Sequence, residues 1–476
     1  MRCEQKCVLS FFHQANMKTR IEHDSIGDIE VSSDSYWGPQ TERSRLNFII
    51  GNHLMPLLVI KKLALIKKAS AITNHSFGKL SDDKMQLISR VCDEICSGQL
   101  DSQFPLSVWQ TGSGTQTNMN VNEVISIRGQ EMNSGNRNDQ PRLLHPNDDV
   151  NMSQSSNDVF PSAMHMAAYD MINMVSIPGL QHLISSLKGF ARRYNNTVKI
   201  GRTHLMDATP ITVGQEFSAY IDMLEQGKSR LKQSARRLLE LPLGGTAVGT
   251  GLNTPSGYDS AVVKNLSSIS GVSYRPSANK YSILSAHDAM VEVHAALKQI
   301  SISLNKIAND IRLMASGPRC GLNELTIPAN EPGSSIMPGK VNPTQIEALC
   351  MVCAKIAGND LTIGLAAMQG QFELNTYKPL IITTFLESAC LLGDACVSFS
   401  QKCISGTKVN HDTLKQNLDK ALMLNTVLSR EIGYEKAAAI AKIAAKKNIG
   451  LSEAAIASGF VTGEEYDTWI DVNKMV

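Results

Sequence analysis

Residues 277–316 run for forty positions without a glycine or proline and stop at Gly317-Pro318. Read as one helix, such a stretch reaches about 60 Å, longer than the usual helix of a globular domain. Within it Met290, Val293, Leu297, Ile300, Leu304, Ile307, Ile311 and Met314 recur at alternating spacings of three and four, the a/d seam of a helix packed near-parallel to others. Gly-poor stretches at 159–177, 215–240 and 382–403, with the helix expected after Lys340, extend this to a central block of about five long helices. Period-two strand signals are sparse, so the predicted fold class is all-α.

Helices are also expected near 54–72, from Ser81 to Ser97, and at 435–447 and 451–458. The working partition is 1–153 (N-terminal, mostly helical), 154–411 (central bundle) and 412–476 (small C-terminal helical domain). Residues 1–16 read as a possible extension, because Met17 offers a second start, with an organellar targeting role as an alternative. A bundle this extended buries apolar surface best between subunits, so an oligomer is the default.

Forty-six Lys and Arg against forty-four Asp and Glu leave a net charge of +2, and aromatics make up 5%. Neither the field nor the stacking surface of a nucleic-acid binder is present. No apolar run approaches the roughly 20 residues that span a bilayer, and the stretch at 8–12 is too short for a secretory signal, so no membrane partner is expected. The ten cysteines are scattered, as in a reducing compartment. Cys350/Cys353 and Cys92/Cys96 read as small buried residues on helices rather than zinc ligands, and no metal or other cofactor is expected.

Four polar segments interrupt the helices, all rich in hydroxyls, amides and glycine: 111–120, 145–157, 201–207 and 331–345. Each ends where a helix is predicted to begin. Helix N-termini capped by Ser, Thr or Asn offer free N–H groups to carboxylates, so the shared composition points to a small organic polyacid. Nucleotide glycine patterns are absent. The densest segment, Glu331-Pro-Gly-Ser-Ser-Ile-Met-Pro-Gly-Lys-Val-Asn-Pro-Thr-Gln345, combines close backbone approach, proline stiffness and the point charge of Lys340, more than an ordinary surface turn needs. Acid/base candidates are His145, Asp148, Asp149, His204, Asp207, Ser334, Ser335, Lys340 and Glu347. Removing a proton beside a carboxylate gives a doubly charged aci-carboxylate, which demands a strong base and several donors. Ser334, between Gly333 and Lys340, is placed where an alkoxide is most favoured, although a capping hydroxyl would have the same composition. His204 reads equally well as a satisfied buried histidine.

The run Gly333-Ser-Ser-Ile-Met-Pro-Gly-Lys-Val-Asn-Pro343 resembles the signature of the fumarase/aspartase superfamily, and 111–122, 145–158 and 201–215 resemble its other blocks in order and spacing. Gly112-Ser-Gly-Thr-Gln-Thr-Asn, Pro338-Gly-Lys-Val-Asn-Pro-Thr-Gln345 and Ala286-His-Asp-Ala are similar to class II fumarases. The resemblance implies a three-domain all-α fold, a homotetramer with active sites shared between subunits, and reversible hydration of fumarate to L-malate without metal or cofactor. It implies Ser334 as the base and His204, paired with Glu347, for acid/base work at the hydroxyl. Ser113, Gly114, Thr115, Ser155, Ser156, Asn157, Thr203, Ser335, Lys340 and Asn342 match substrate-binding positions, with Arg142 a weaker match. His145, Pro146, Asn147 and Asp148 match a second dicarboxylate site.

Two positions depart from the class II pattern: Leu205-Met206, where Thr-Gln is usual, and Met152, where Lys is usual. Leu205 and Met152 are closer to aspartase, whereas Gly339 stands where aspartases usually have Ala. An aspartate ammonia-lyase is therefore the alternative reading, and a non-catalytic structural relative the third. The expected location is the cytoplasm, with the mitochondrion as alternative.

Overall fold

The computed structural model describes residues 18–476, which carry seventeen α-helices and a few short two-stranded sheets. The extension and second start expected at 1–17 lie outside the described residues. The all-α expectation holds.

The described chain divides into two compact units, residues 18–175, 231–296 and 357–390 forming one, and 176–230, 297–356 and 391–476 the other. In the first unit a hairpin, β1 (Thr19–Asp24) and β2 (Gly27–Ser32), precedes α1 (Pro39–Asn47), α2 (Leu57–Ser76), α3 (Asp82–Ser97), α4 (Thr115–Ser134) and α5 (Ser156–Met171). Helix α2 is buried on almost every face: Val59, Ile60, Leu63, Ala64 and Ile66 are enclosed, and so are Lys62 and Lys67. It packs against α3, α5 and α8 (Tyr258–Ser270). Its apolar residues supply the hydrophobic term, and its enclosed lysines need partners from the surrounding helices.

The second unit contains α6 (Ile177–Arg193), the antiparallel hairpin β3 (Val198–Thr203) and β4 (Met206–Thr212), and a C-terminal cluster, α13 (His411–Lys420) to α17 (Gly463–Trp469). Leu428, Ile440, Ala444, Leu451, Ala454 and Tyr466 form the core of that cluster.

Helix α7 (Val213–Ala235), α10 (Asp288–Met314), α11 (Thr344–Ala367) and α12 (Lys378–Lys402) are the long helices expected from the Gly-poor stretches. All eight seam residues from Met290 to Met314 are buried. The forty-residue stretch is not one helix, however. A short α9 (Lys280–Ser285) ends at Ala286, whose backbone is extended (φ −135°, ψ 156°), and α10 starts afresh at Asp288. Local hydrogen bonding makes the break: the Ala286 N–H closes α9 on the Ser282 carbonyl, the Met290 and Val291 N–H groups start α10 on the His287 carbonyl, and Asp288 stands in the first turn of α10, where its charge suits the helix dipole. The absence of glycine and proline does not guarantee continuity.

A second correction concerns apolar length. Helix α11 and the segment 378–406 that contains α12 are long and apolar enough to cross a membrane by length and composition, although neither is an unbroken apolar run. Interspersed Gly, Ala, Ser, Thr and Cys hide this in a run count while keeping mean hydropathy high. Over half of the apolar window of the second segment is already buried inside the chain.

Candidate active site

The residues expected to bind substrate fall into two groups, one in each unit. In the first unit, α4 begins just after Gly114, which takes a left-handed conformation (φ 77°). A Cβ at Gly114 would overlap the Phe160 ring, and one at Gly112 would overlap the Thr376 carbonyl, so both glycines are required by close approach. This tight crossing aims a chain of hydroxyls: Ser113 Oγ to Thr115 Oγ1 at 2.7 Å, and Thr115 Oγ1 to Ser156 Oγ at 2.7 Å. Ser156 opens α5, whose N-terminus is closed by a capping box. Ser155 Oγ accepts the Asn157 N–H at 3.2 Å, and Asp158 returns a bond to the Ser155 N–H at 2.8 Å. Ser113, Gly114, Thr115, Ser155, Ser156 and Asn157 thus form one half-buried cradle with its donors prepositioned.

Arg142 does not join that cradle. Its guanidinium is paired with Glu22 of β1, with Nη1 3.0 Å from Oε2. It shares a cavity of about 690 Å³ with His145, Pro146 and Asn147. The His145–Asp148 segment starts a single π-turn, Pro146–Val150, where His145 Nδ1 accepts the Asp148 N–H at 3.1 Å and the His145 N–H donates to Asp149 Oδ2 at 2.8 Å. Asn147 and Asp148 also face a second cleft of about 400 Å³, which Ser155 lines as well.

In the second unit, Ser334 Oγ accepts two backbone N–H groups, from Ile336 at 3.3 Å and Met337 at 3.0 Å. Two amide donors on one hydroxyl oxygen favour its charged form. The loop is pinched at its base: a Cβ on Gly333 would overlap the Lys340 carbonyl, and Asn342 Nδ2 donates to the Gly333 carbonyl. Lys340 Nζ donates to Asn342 Oδ1 at 2.8 Å, which brings the two expected anchors together. Ser335 is exposed beside them.

Thr203 and His204 belong to the β3–β4 hairpin, which sparse strand signals did not reveal. Thr203 pairs with Met206, so His204 and Leu205 form a two-residue turn, both left-handed with φ of 57° and 61°. The stem is anchored by buried charge. Lys199 Nζ lies 2.8 Å from Glu216 and 2.9 Å from Glu324, and Arg202 Nη1 lies 2.7 Å from Glu324. The tip is open, with Leu205 74% and Met206 69% exposed. Glu347, in the first turn of α11, is 3.5 Å from Arg312. Among the described residues no hydrogen bond or ion pair joins His204 to Glu347 within the chain.

Reading the sequence missed Gly244-Gly-Thr-Ala-Val-Gly-Thr-Gly251. Its composition is that of the four segments singled out, and it touches the cradle through Asn157 Nδ2, which donates to the Ala247 carbonyl at 2.8 Å. The two sets of donors and hydroxyls, one in each unit, with Ser334 and the open His204, have the chemistry of a class of acid/base site for small carboxylates.

Comparison with known proteins agrees with that class. Residues 27–358 match the family described as Lyase, and residues 424–476 match Fumarase C C-terminus. The class II fumarate hydratase of Pasteurella multocida is 54% identical over 461 residues, covering 97% of this chain and 99% of that protein. The mitochondrial fumarate hydratase of Dictyostelium discoideum is 50% identical, covering 97% and 96%. The crystal structure of recombinant class II fumarase from Schistosoma mansoni superposes with a TM-score of 0.94 at 42% identity, covering 96% of this chain and 99% of that one. The chain belongs to the lyase family, in its class II fumarate hydratase group.

Proposed function

We propose that the protein hydrates fumarate to L-malate and runs the reverse reaction, with Ser334 as the base. The observation that carries the assignment is the pair of amide N–H groups on Ser334 Oγ, in a loop that also holds Lys340 and Asn342. In the malate-to-fumarate direction the Ser334 alkoxide takes the C3 proton. The electron pair left behind spreads into the adjacent carboxylate, where Lys340, Asn342 and Ser335 supply positive charge and donors as the aci-carboxylate forms. The C2 hydroxyl then leaves as water with a proton from His204, oriented by Glu347, and the second carboxylate rests on the Ser113–Thr115 and Ser155–Asn157 cradle with Thr203. No covalent intermediate is needed.

The assembly we propose is a homotetramer whose active sites draw these segments from different subunits. It is supported by the exposed tip at His204 and by the apolar side chains that α11 and its C-terminal flank leave uncovered, Met351, Leu361, Leu365 and Met368. We further propose a cytoplasmic location, with the mitochondrion as alternative, the three-region domain partition, and His145–Asp148 with Arg142 as the second dicarboxylate site.

Ultraviolet absorbance of fumarate with malate, then with aspartate, as sole substrate tests the reaction. Turnover of malate is expected. Turnover of aspartate without malate would replace this reading with an ammonia-lyase, which Leu205 and Met152 favour, and inertness towards both would leave a structural role.

A further inference from the structure

We propose that Asp158 is a positioning residue for the substrate cradle and that the Gly244–Thr246 turn in its grip is a wall of that cradle. The inference rests on the reading of Ser155–Asn157 as carboxylate-binding. The Asp158 side chain is fully buried, and each of its oxygens is spoken for by backbone N–H groups. Oδ1 accepts from Ser155 at 2.8 Å, and Oδ2 accepts from Gly244 at 2.9 Å and Thr246 at 3.1 Å. One carboxylate therefore fastens two segments almost ninety residues apart in sequence.

The grip is needed because the turn is strained. Thr246 is left-handed at φ 53°, a conformation a β-branched residue rarely keeps without external support. Asn157 adds the second tie through the Ala247 carbonyl, and Thr246, Ala247, Leu252 and Asn253 line the same cleft as Ser155. Burial pushes the Asp158 carboxyl up to about 6, while the three amide donors and the Lys67 ammonium of α2 pull against that rise. Tyr258 of α8 is the other titratable group that senses its charge. At neutral pH Asp158 is then a carboxylate, an acceptor at both oxygens. An amide in its place would turn an NH2 group against at least one backbone donor.

The test is Asp158→Asn in the intact protein, assayed for malate turnover and followed by amide hydrogen exchange. A cradle that holds substrate and transition state alike predicts that KM rises at least tenfold while kcat falls less than threefold. Exchange across residues 244–251 should quicken at least tenfold. Unchanged KM, or a fall in kcat alone, overturns the proposal. Exchange in the wild-type protein decides the matter if the variant does not fold: amides of Gly244 and Thr246 that exchange like an open loop overturn it, and strong protection supports it. A wild-type protein inert towards malate would remove the reaction proposed above and leave the exchange result to judge the grip on the turn.

Discussion

The two halves of the candidate site are built on opposite plans. The Ser113–Thr115 and Ser155–Asn157 cradle is finished within its own unit: a hydroxyl chain, a capping box and two glycines under close contact fix it before any ligand arrives. The Ser334 loop and the His204 tip are exposed and rest on few bonds beyond their own segment. On the proposed function, binding geometry is stored in rigid backbone, and the groups proposed to move protons are carried on open segments.

The largest predicted effect breaks the comparison if it fails. Ser334→Ala should lower kcat about a thousandfold or more, with KM within about threefold and melting unchanged, because the lost group acts only on the way to the transition state. Steady-state ultraviolet assays and calorimetry read both, and an unchanged kcat would remove Ser334 as the base. Next comes a matched pair of glycines. Gly112→Ala should cost about 3 kcal/mol of stability in denaturant unfolding, since its Cβ has nowhere to go in a packed crossing. Gly333→Ala should cut activity about a hundredfold while stability moves by less than about 1 kcal/mol, because an exposed loop can shift to accept the methyl at the expense of its shape. Equal stability losses would erase the distinction between halves.

Thr115→Val is smaller. It removes the middle of the hydroxyl chain and should raise KM about tenfold with little change in kcat, a loss of roughly 1.4 kcal/mol of uniform binding. The last effect concerns acid and leaves activity at neutral pH untouched. His165, buried in α5, donates Nδ1–H to the Glu240 carbonyl at 2.8 Å, and burial lowers its pKa from 6.5 to about 4. A depressed folded pKa means stability that is present above pH 6.5 and lost as pH falls towards 4, about 3 kcal/mol in all. His165→Asn keeps a donor for Glu240 but does not titrate, so its melting temperature should fall less steeply between pH 6.5 and 4; parallel slopes would assign the acid weakness elsewhere.

Much of this was legible in the sequence. The three/four alternation from Met290 to Met314 is a direct print of burial, and every one of those side chains is inside. The boundaries of α3 and α15 (Tyr434–Lys447) follow from capping and composition. Ser334, Lys340 and Asn342 could be singled out because their density in one loop is unusual. Contacts distant in sequence could not be read. Nothing local says that Arg142 is committed to Glu22, or that Asp158 reaches Gly244. The break at Ala286 was hidden because α9 closes on the Ser282 carbonyl and α10 restarts at Asp288 without a glycine or proline. The hairpin was hidden because its short strands are stabilised by buried ion pairs rather than by an alternating apolar face.

That hairpin also limits how such a chain can drift. A two-residue turn on a paired stem couples length to register: one residue added or lost between Arg202 and Asp207 must be taken up by a new loop or a bulge if the stem, with Lys199 and Arg202 held on Glu324, is to keep its pairing. Single replacements at the tip disturb none of this. Descent can therefore rewrite what stands beside His204 letter by letter, as Leu205 and Met206 illustrate, more readily than by insertion.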